Sequence, residues 1–326
     1  MTNVSTVGLQ MLLINNMSSE KTTLEQLNTQ LGTGQEHDNL TDYTASQARQ
    51  ILDLNSQVTQ RQSYISSIKN VQSRLGVYDL SMSDMESVAA QASTLASQNQ
   101  NYDGAKASSI LSQLTTMLKQ VTDDLNQKVG DRYIYAGTRY STAPVTDLTK
   151  LTDTPSSTTT DTSNYYLPDY DTQYVNSTST SGAAYAQDQV LVDQGYTVTY
   201  GISSNNTSFQ QLVAGLRFIQ SAVTAGQSGD TATYSSDMTT ANNLLTAGLS
   251  GIQAIHAGLA SNQNILSNEI STQNTDISNL QDQITGITGI DQASVAASLT
   301  AMQTQIEASY SATASTEKLS LTQYLG

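Results

Sequence analysis

The chain offers few residues for catalysis. His37 and His256 are its only histidines, and it has no cysteine among 326 residues. Thiol nucleophiles, disulfides and Cys-based zinc sites are therefore excluded. His256 lies in Ile255-His256-Ala257-Gly258, beside apolar residues on a helical pattern, and reads as a packed or hydrogen-bonded structural histidine. His37 sits in the loop Gly34-Gln35-Glu36-His37-Asp38. A metal there would need further ligands at a recognisable spacing, which the sequence does not supply. Asp123-Asp124 could be an acid/base pair, but adjacent helical residues point in different directions, so the pair reads as a solvated helix face. Gly32-x-Gly34 is too short for a dinucleotide fingerprint, and no Walker A motif, nucleophile elbow or zincin motif is present. Asn-x-Ser/Thr triplets begin at Asn3, Asn16, Asn39, Asn176, Asn205 and Asn206; a chain rich in Asn, Ser and Thr produces them by chance. The expectation is a protein that is not an enzyme and holds no cofactor and no metal. What remains is interaction chemistry, carried by long elements.

Those elements are mostly helical. Leu13, Met17, Leu24, Leu27 and Leu31 recur at spacings of three, four or seven, and Gly32 and Gly34 then stop the helix. From about Ala45 to Ala96, Ile51, Leu54, Val58, Ile65, Ile68, Leu75 and Met82 hold one heptad frame, with Arg61 and Gln72 on its seam. After Met82 the apolar face moves to Met85, Val88, Ala92 and Leu95. A third helix is predicted from about Ala107 to Val129, with Gly130 as its C-cap. After the middle of the chain, Phe209, Leu212, Val213, Leu216, Ile219 and Val223 share a helical face. A long run then extends from about Thr231 to Gln283, with Leu266, Ile270, Ile277, Leu280, Ile284 and Ile287 on a second heptad frame. Gly286 and Gly289 mark a joint. Val295, Leu299, Met302, Ile306 and Tyr310 predict a C-terminal helix.

The middle zone differs. Pro144, Pro155 and Pro168, all the prolines of the chain, fall between about residues 138 and 207, which are rich in Ser and Thr. Val190-Leu191-Val192 and Tyr196 to Tyr200 alternate as strands do. A small β-rich domain is expected there.

Charge narrows the partners. There are 13 Lys and Arg against 28 Asp and Glu, a formal net charge of −15. Nucleic-acid binding needs clustered cations, so a nucleic-acid partner is not expected. No segment approaches the roughly 20 apolar residues that span a bilayer, so no membrane insertion is expected. The run Leu9 to Ile14 lacks the basic flank of a secretory signal. Between Leu151 and Glu317 the only basic residue is Arg217. If the two heptad helices pair, Arg61 or Lys69 is placed to meet an acid of the later helix.

A helix cannot bury an apolar stripe alone, so the two helical halves are expected to pack on each other. The fold class predicted is mainly α: a long antiparallel helical bundle formed by both chain ends, with an inserted small β-rich domain.

At this point the residues resemble a known family, the bacterial flagellins and their hook–filament junction relative. Leu27-Asn-Thr-Gln-Leu-Gly-Thr-Gly34 resembles the family's N-terminal leucine-rich stretch ending in a Ser/Thr-Gly turn. Gly130-Asp-Arg-Tyr-Ile-Tyr-Ala-Gly137 resembles the junction protein's hairpin and is the most specific match. Tyr200-Gly201-Ile202, Phe209 and Leu216-Arg217 resemble the family's return from its outer domain. Leu299 to Leu325, with Ala308-Ser309-Tyr310 and Leu319-Ser-Leu-Thr-Gln-Tyr-Leu325, is close to the junction protein's C-terminus. The likeness covers both helical thirds and fades across 145–195. Gln35, Glu36 and His37 depart from the basic, Asp-Asp-containing sequence usual after Gly34.

The resemblance implies an extracellular component of the flagellum, exported without a cleaved signal, that joins hook to filament and nucleates flagellin. A flagellin proper is the alternative, and a secreted adhesin or enzyme on a helical rod a more distant one. Implied partners are other copies of the chain in a helical ring, an adjoining hook-associated protein, flagellin and an export chaperone. Residues 1–43 and 290–326 would be the assembly region, with Leu13, Met17, Leu24, Leu27, Leu299, Met302 and Ile306 as its interface. Residues 44–140 and 208–289 would be a stalk, with a core from Ile51 to Leu75 and from Leu266 to Ile287. Residues 141–207 would be the outer domain.

Overall fold

The computed structural model describes residues 3–325 apart from 138–139, 146, 152–186 and 205; outside those gaps, side chains are described from residue 11 to residue 315. In chain order the elements are α1 (Asn3–Thr33), α2 (Ala45–Gln98), α3 (Gly104–Leu125), β1 (Lys128–Val129), β2 (Arg132–Tyr133), β3 (Gln189–Asp193), β4 (Tyr196–Thr199), α4 (Thr207–Gln227), α5 (Thr231–Thr288) and α6 (Gln292–Leu325). Single 3-10 turns lie at Leu40–Asp42 and Leu148–Lys150. The fold is mainly α with a small β insert, as the periodicity predicted.

Helix starts are set by side chains that satisfy free N–H groups. Thr44 and Gln47 form a reciprocal capping box at α2: the Thr44 N–H donates to Gln47 Oε1 at 3.2 Å and the Gln47 N–H to Thr44 Oγ1 at 3.4 Å. Asp103, Asn206 and Asp291 accept from the backbone two residues on, opening α3, α4 and α6. Asp230 does the same for α5 through the Thr233 N–H at 3.0 Å.

The third helix is shorter than its sequence pattern suggests. It ends at Leu125, not Val129, because Asn126 leaves the helix and exchanges hydrogen bonds with Val145 at 2.7 and 3.2 Å. Lys128 and Val129 instead pair with Tyr133 and Arg132 in a hairpin. Gly130 is therefore a turn residue and not a helix cap; its φ of 61° suits the first position of a two-residue turn.

Contacts divide the chain into two units, residues 1–61 with 274–326, and residues 62–273. The second unit holds the main core. It is centred on α4, where Phe209, Leu212, Leu216, Phe218, Ile219 and Val223 are all buried. Such all-round burial needs close neighbours. Gly226 faces the Tyr102 ring with no room for a methyl group, and a Cβ on Gly215 would stand 2.5 Å from Leu245.

The inserted segments are tied to this core through tyrosines. The Tyr78 hydroxyl donates to Ile134 O and accepts from the Ile202 N–H at 3.4 Å, so one side chain holds the stretches on both sides of the insert. Tyr135 stacks edge-on between Tyr78 and Phe209, with centroids 4.9 and 5.7 Å away. Burial pushes both phenols above their ordinary range, keeping them protonated. Arg132 meets Asp188 at 3.2 Å, and Arg74 donates to the Tyr200 hydroxyl at 2.6 Å. Strands β3 and β4 pair antiparallel, Val190 opposite Val198, with a bulge between Leu191 and Asp193. Their inward residues Val190, Val192 and Val198 join the core, as do Val145 and Leu148. Much of the expected outer domain, residues 152–186, lies outside the described residues.

Candidate assembly interface

In the first unit, α1 and α6 run antiparallel. Thr313 Oγ1 reaches Met17 Sδ at 3.5 Å, and Glu20 Oε1 accepts from Gln305 Nε2 at 2.9 Å and from Ser309 Oγ at 3.1 Å. At the other end the Glu36 N–H donates to Thr288 O at 2.7 Å and the Ile290 N–H to Gly34 O at 3.2 Å. This small bridge, Gln35 against Gly289, fixes the two turns that lead out of the pair.

The half-buried residues define the seam. On α1 they include Leu13, Met17, Glu20, Leu24 and Leu27; on α6 they include Val295, Leu299, Met302, Ile306, Ser309 and Thr313. Both rows advance by alternating steps of four and three, the knobs-into-holes spacing. All seven sequence-predicted interface residues lie in these rows. Tyr310, which the sequence placed on the stripe, is turned away and 58% exposed; Ser309 holds the seam position instead. Glu20 was missed as well. Its signal was the seven-residue step from Met17 to Leu24, which leaves one seam position unaccounted for.

No described side chain of α1 or α6 is fully buried. Two helices cover only the faces they turn to each other. Met11, Leu12 and Ile14 project outward from α1 at 67, 57 and 61% exposure. Together they make this face of α1 a candidate contact surface.

The rest of the first unit is better packed. Ile51, Leu54, Val58, Ile277 and Leu280 are buried, and Ile284 and Ile287 are half-buried. Arg61 meets Asp276 at 2.6 Å, one of the cross-helix pairs that charge patterning anticipated. Both partners are partly exposed, so the pair is worth about 0–1 kcal/mol. His37 serves structure here: its ring stands edge-on to Tyr43, whose hydroxyl donates to His37 O at 3.2 Å.

In the second unit Ile65, Ile68, Leu75 and Leu266 are buried, and Ile270 packs against the core. His256 is clamped by α2, with Nε2 2.9 Å from Asp79 Oδ1 and Nδ1 2.7 Å from Glu86 Oε1. The Asp79 hydrogen bond and then Glu86 raise its pKa. It is a hydrogen-bonded structural histidine, as its sequence context indicated. Asp124 departs from expectation. Asp123 is exposed, but Asp124 is 5% exposed and its Oδ2 has no partner. Burial, with Asp84 and Asp123 nearby, pushes its carboxyl up to about 7. An i+1 neighbour on a helix points elsewhere, and here elsewhere is the interior.

The comparisons with known proteins agree with this geometry. Residues 244–325 match the family model for the bacterial flagellin C-terminal helical region, which spans most of α5 and all of α6. A solved structure described as a flagellar hook-associated protein from Vibrio parahaemolyticus shares the fold, with a TM-score of 0.55 and 11% identity over 76% of this chain and 99% of that one. A comparison with curated proteins finds no match. The C-terminal helices of the chain are thus similar to the flagellin C-terminal region, and its fold is that of a flagellar hook-associated protein.

Proposed function

We propose that this chain forms the adapter ring between the flagellar hook and its filament, and that it nucleates flagellin assembly. The observation that carries the reading is the half-buried terminal pair. Leu13, Met17, Leu24, Leu27, Leu299, Met302 and Ile306 lie on a seam that two helices alone leave partly open. Neighbouring copies would complete the burial, and head-to-tail contacts of that kind close into rings or continue as filaments. The Gly130–Gly137 hairpin, tied into the bundle by Tyr78, favours the junction role over the filament role. In this reading residues 1–43 and 290–326 assemble, 44–140 and 208–289 form the stalk, and 141–207 face outward. The partners are further copies of the chain, an adjoining hook-associated protein, flagellin and an export chaperone, and export uses no cleaved signal. The second reading is a flagellin, favoured by the match of residues 244–325 to the flagellin model.

Seeded assembly of the purified full chain, viewed by negative-stain microscopy, separates them. The adapter stays soluble alone, caps isolated hooks and then supports flagellin growth. Filaments growing from its own seeds would make it a flagellin. Failure to bind hook or filament ends, where a control pair assembles, would overturn both. Replacing Leu299, Met302 and Ile306 together with Asp is expected to abolish capping while leaving the thermal unfolding of residues 62–273 within about 0.5 kcal/mol of wild type.

A further inference from the structure

We infer that Glu20, in addition to the Gln35–Gly289 bridge at the inner end, holds the terminal helix pair against one heptad slip, acting as a charged key opposite Ser309. The inference rests on contacts within the pair and does not depend on the adapter reading.

Among the described residues, Glu20 is the only charged one on the half-buried seam of α1 and α6, with Met17 and Leu24 as its seam neighbours on α1. Its carboxylate is satisfied at one place only. Oε1 accepts from Gln305 at 2.9 Å and from Ser309 at 3.1 Å, and Oε2 is buried with no partner. Oε2 loses water and regains no hydrogen bond, a cost that an apolar residue in the same place would not carry. Glu20 therefore weakens the pair relative to an apolar residue.

The benefit is discrimination between registers. The stripes on the two helices repeat every seven residues, so sliding one helix by a heptad again sets apolar residues against apolar residues. Periodicity alone does not tell these arrangements apart. Glu20 does. In the observed register its carboxylate meets Ser309; a slip of seven in one direction brings Met302 to that place. The carboxylate would then be buried against a thioether with neither hydrogen bond. A single polar residue at a seam position fixing register at some loss of stability is the best attested use of buried polar groups in coiled coils.

The absence of native cysteine gives a clean test, because each engineered pair of cysteines is the only pair present. In the full-length chain, Met17→Cys with Thr313→Cys reports the observed register. Met17→Cys with Ile306→Cys, and Leu24→Cys with Thr313→Cys, report slips of one heptad in either direction. With Glu20 present, copper-phenanthroline oxidation is expected to link the first pair at least about tenfold more than the second, which reports the slip that brings Met302 opposite Glu20. Glu20→Leu should bring the second pair, Met17→Cys with Ile306→Cys, to a yield comparable with the first. Glu20→Gln, which can still accept from Gln305 and Ser309, should retain the wild-type pattern. Linking of the first pair alone in Glu20→Leu would overturn the inference. So would equal linking of all three pairs with Glu20 in place, or no linking of the first pair.

Discussion

Helices α1 and α4 both carry an apolar stripe, weak in α1 and strong in α4, and they end in opposite environments. Helix α4 has neighbours on nearly every side and buries even Ala214, Gly215 and Arg217. Helix α1 is longer, packs along α6, and buries none of its described side chains completely. Composition contributes, since α4 carries Phe209, Phe218 and a dense apolar face while α1 is largely polar. The number of neighbours adds to it. A helix with several neighbours contributes to folding stability. A helix with one neighbour retains apolar surface that only association can remove from water.

The sharpest way to break that comparison is to truncate one side chain in each helix. Phe209→Ala removes a fully buried ring in contact with Tyr135 and should destabilise the fold by about 3–5 kcal/mol in urea unfolding. Leu24→Ala on α1 should change the same transition by about 1 kcal/mol or less, and should show its main effect in assembly. Equal losses at the two sites would mean that the terminal pair belongs to the folding core.

A second effect separates the regions by pH. Asp124 is buried in the packed unit with a carboxyl pushed up to about 7 from its ordinary 3.8. The folded chain therefore holds this proton more tightly than the unfolded one. Folding stability should fall as pH rises from about 4 to about 7, and the penalty should be fully present above that. Asp124→Asn should remove this dependence and raise stability above pH 7 by about 1–3 kcal/mol, the usual scale for a buried unpaired polar group. Melting curves between pH 5 and pH 9 would check it; a wild-type slope unchanged in the Asn variant would refute it.

The smallest effect concerns His256. Its pKa is raised by Asp79 and Glu86, so the stability it adds is present below the ordinary histidine range and is lost as pH rises through the raised value. The clamp is partly exposed, and His256→Gln should cost about 1 kcal/mol or less at pH 6 and nearly nothing at pH 9. A loss of the same size at both values would mean that packing, not charge, is what His256 supplies.

Much of this was legible in the residues themselves. The heptad frames through Ile51 to Leu75 and Leu266 to Ile287 are local periodicities, and they place the helices without reference to the rest of the chain. The absence of cysteine and the excess of acids limit the chemistry in the same direct way. The Gly130–Gly137 motif likewise identified a hairpin, although the apolar pattern before it suggested that α3 would run on. Asn126 decided that point by bonding to Val145, 19 residues away, and no local pattern contains that bond.

What the tertiary structure alone decided is which members of each pattern are covered, and by what. Sequence spacing could not distinguish Asp124 from Asp123, because both fit the same helix and only packing gives them different surroundings. Glu20 and Ser309 look like ordinary surface residues until α6 lies against α1; Tyr310 looks like a seam residue until the same contact turns it outward. A helical sequence specifies directions around its own axis, but the neighbour that meets each direction comes from a distant part of the chain. In the proposed assembly, some of those neighbours come from other copies of the chain.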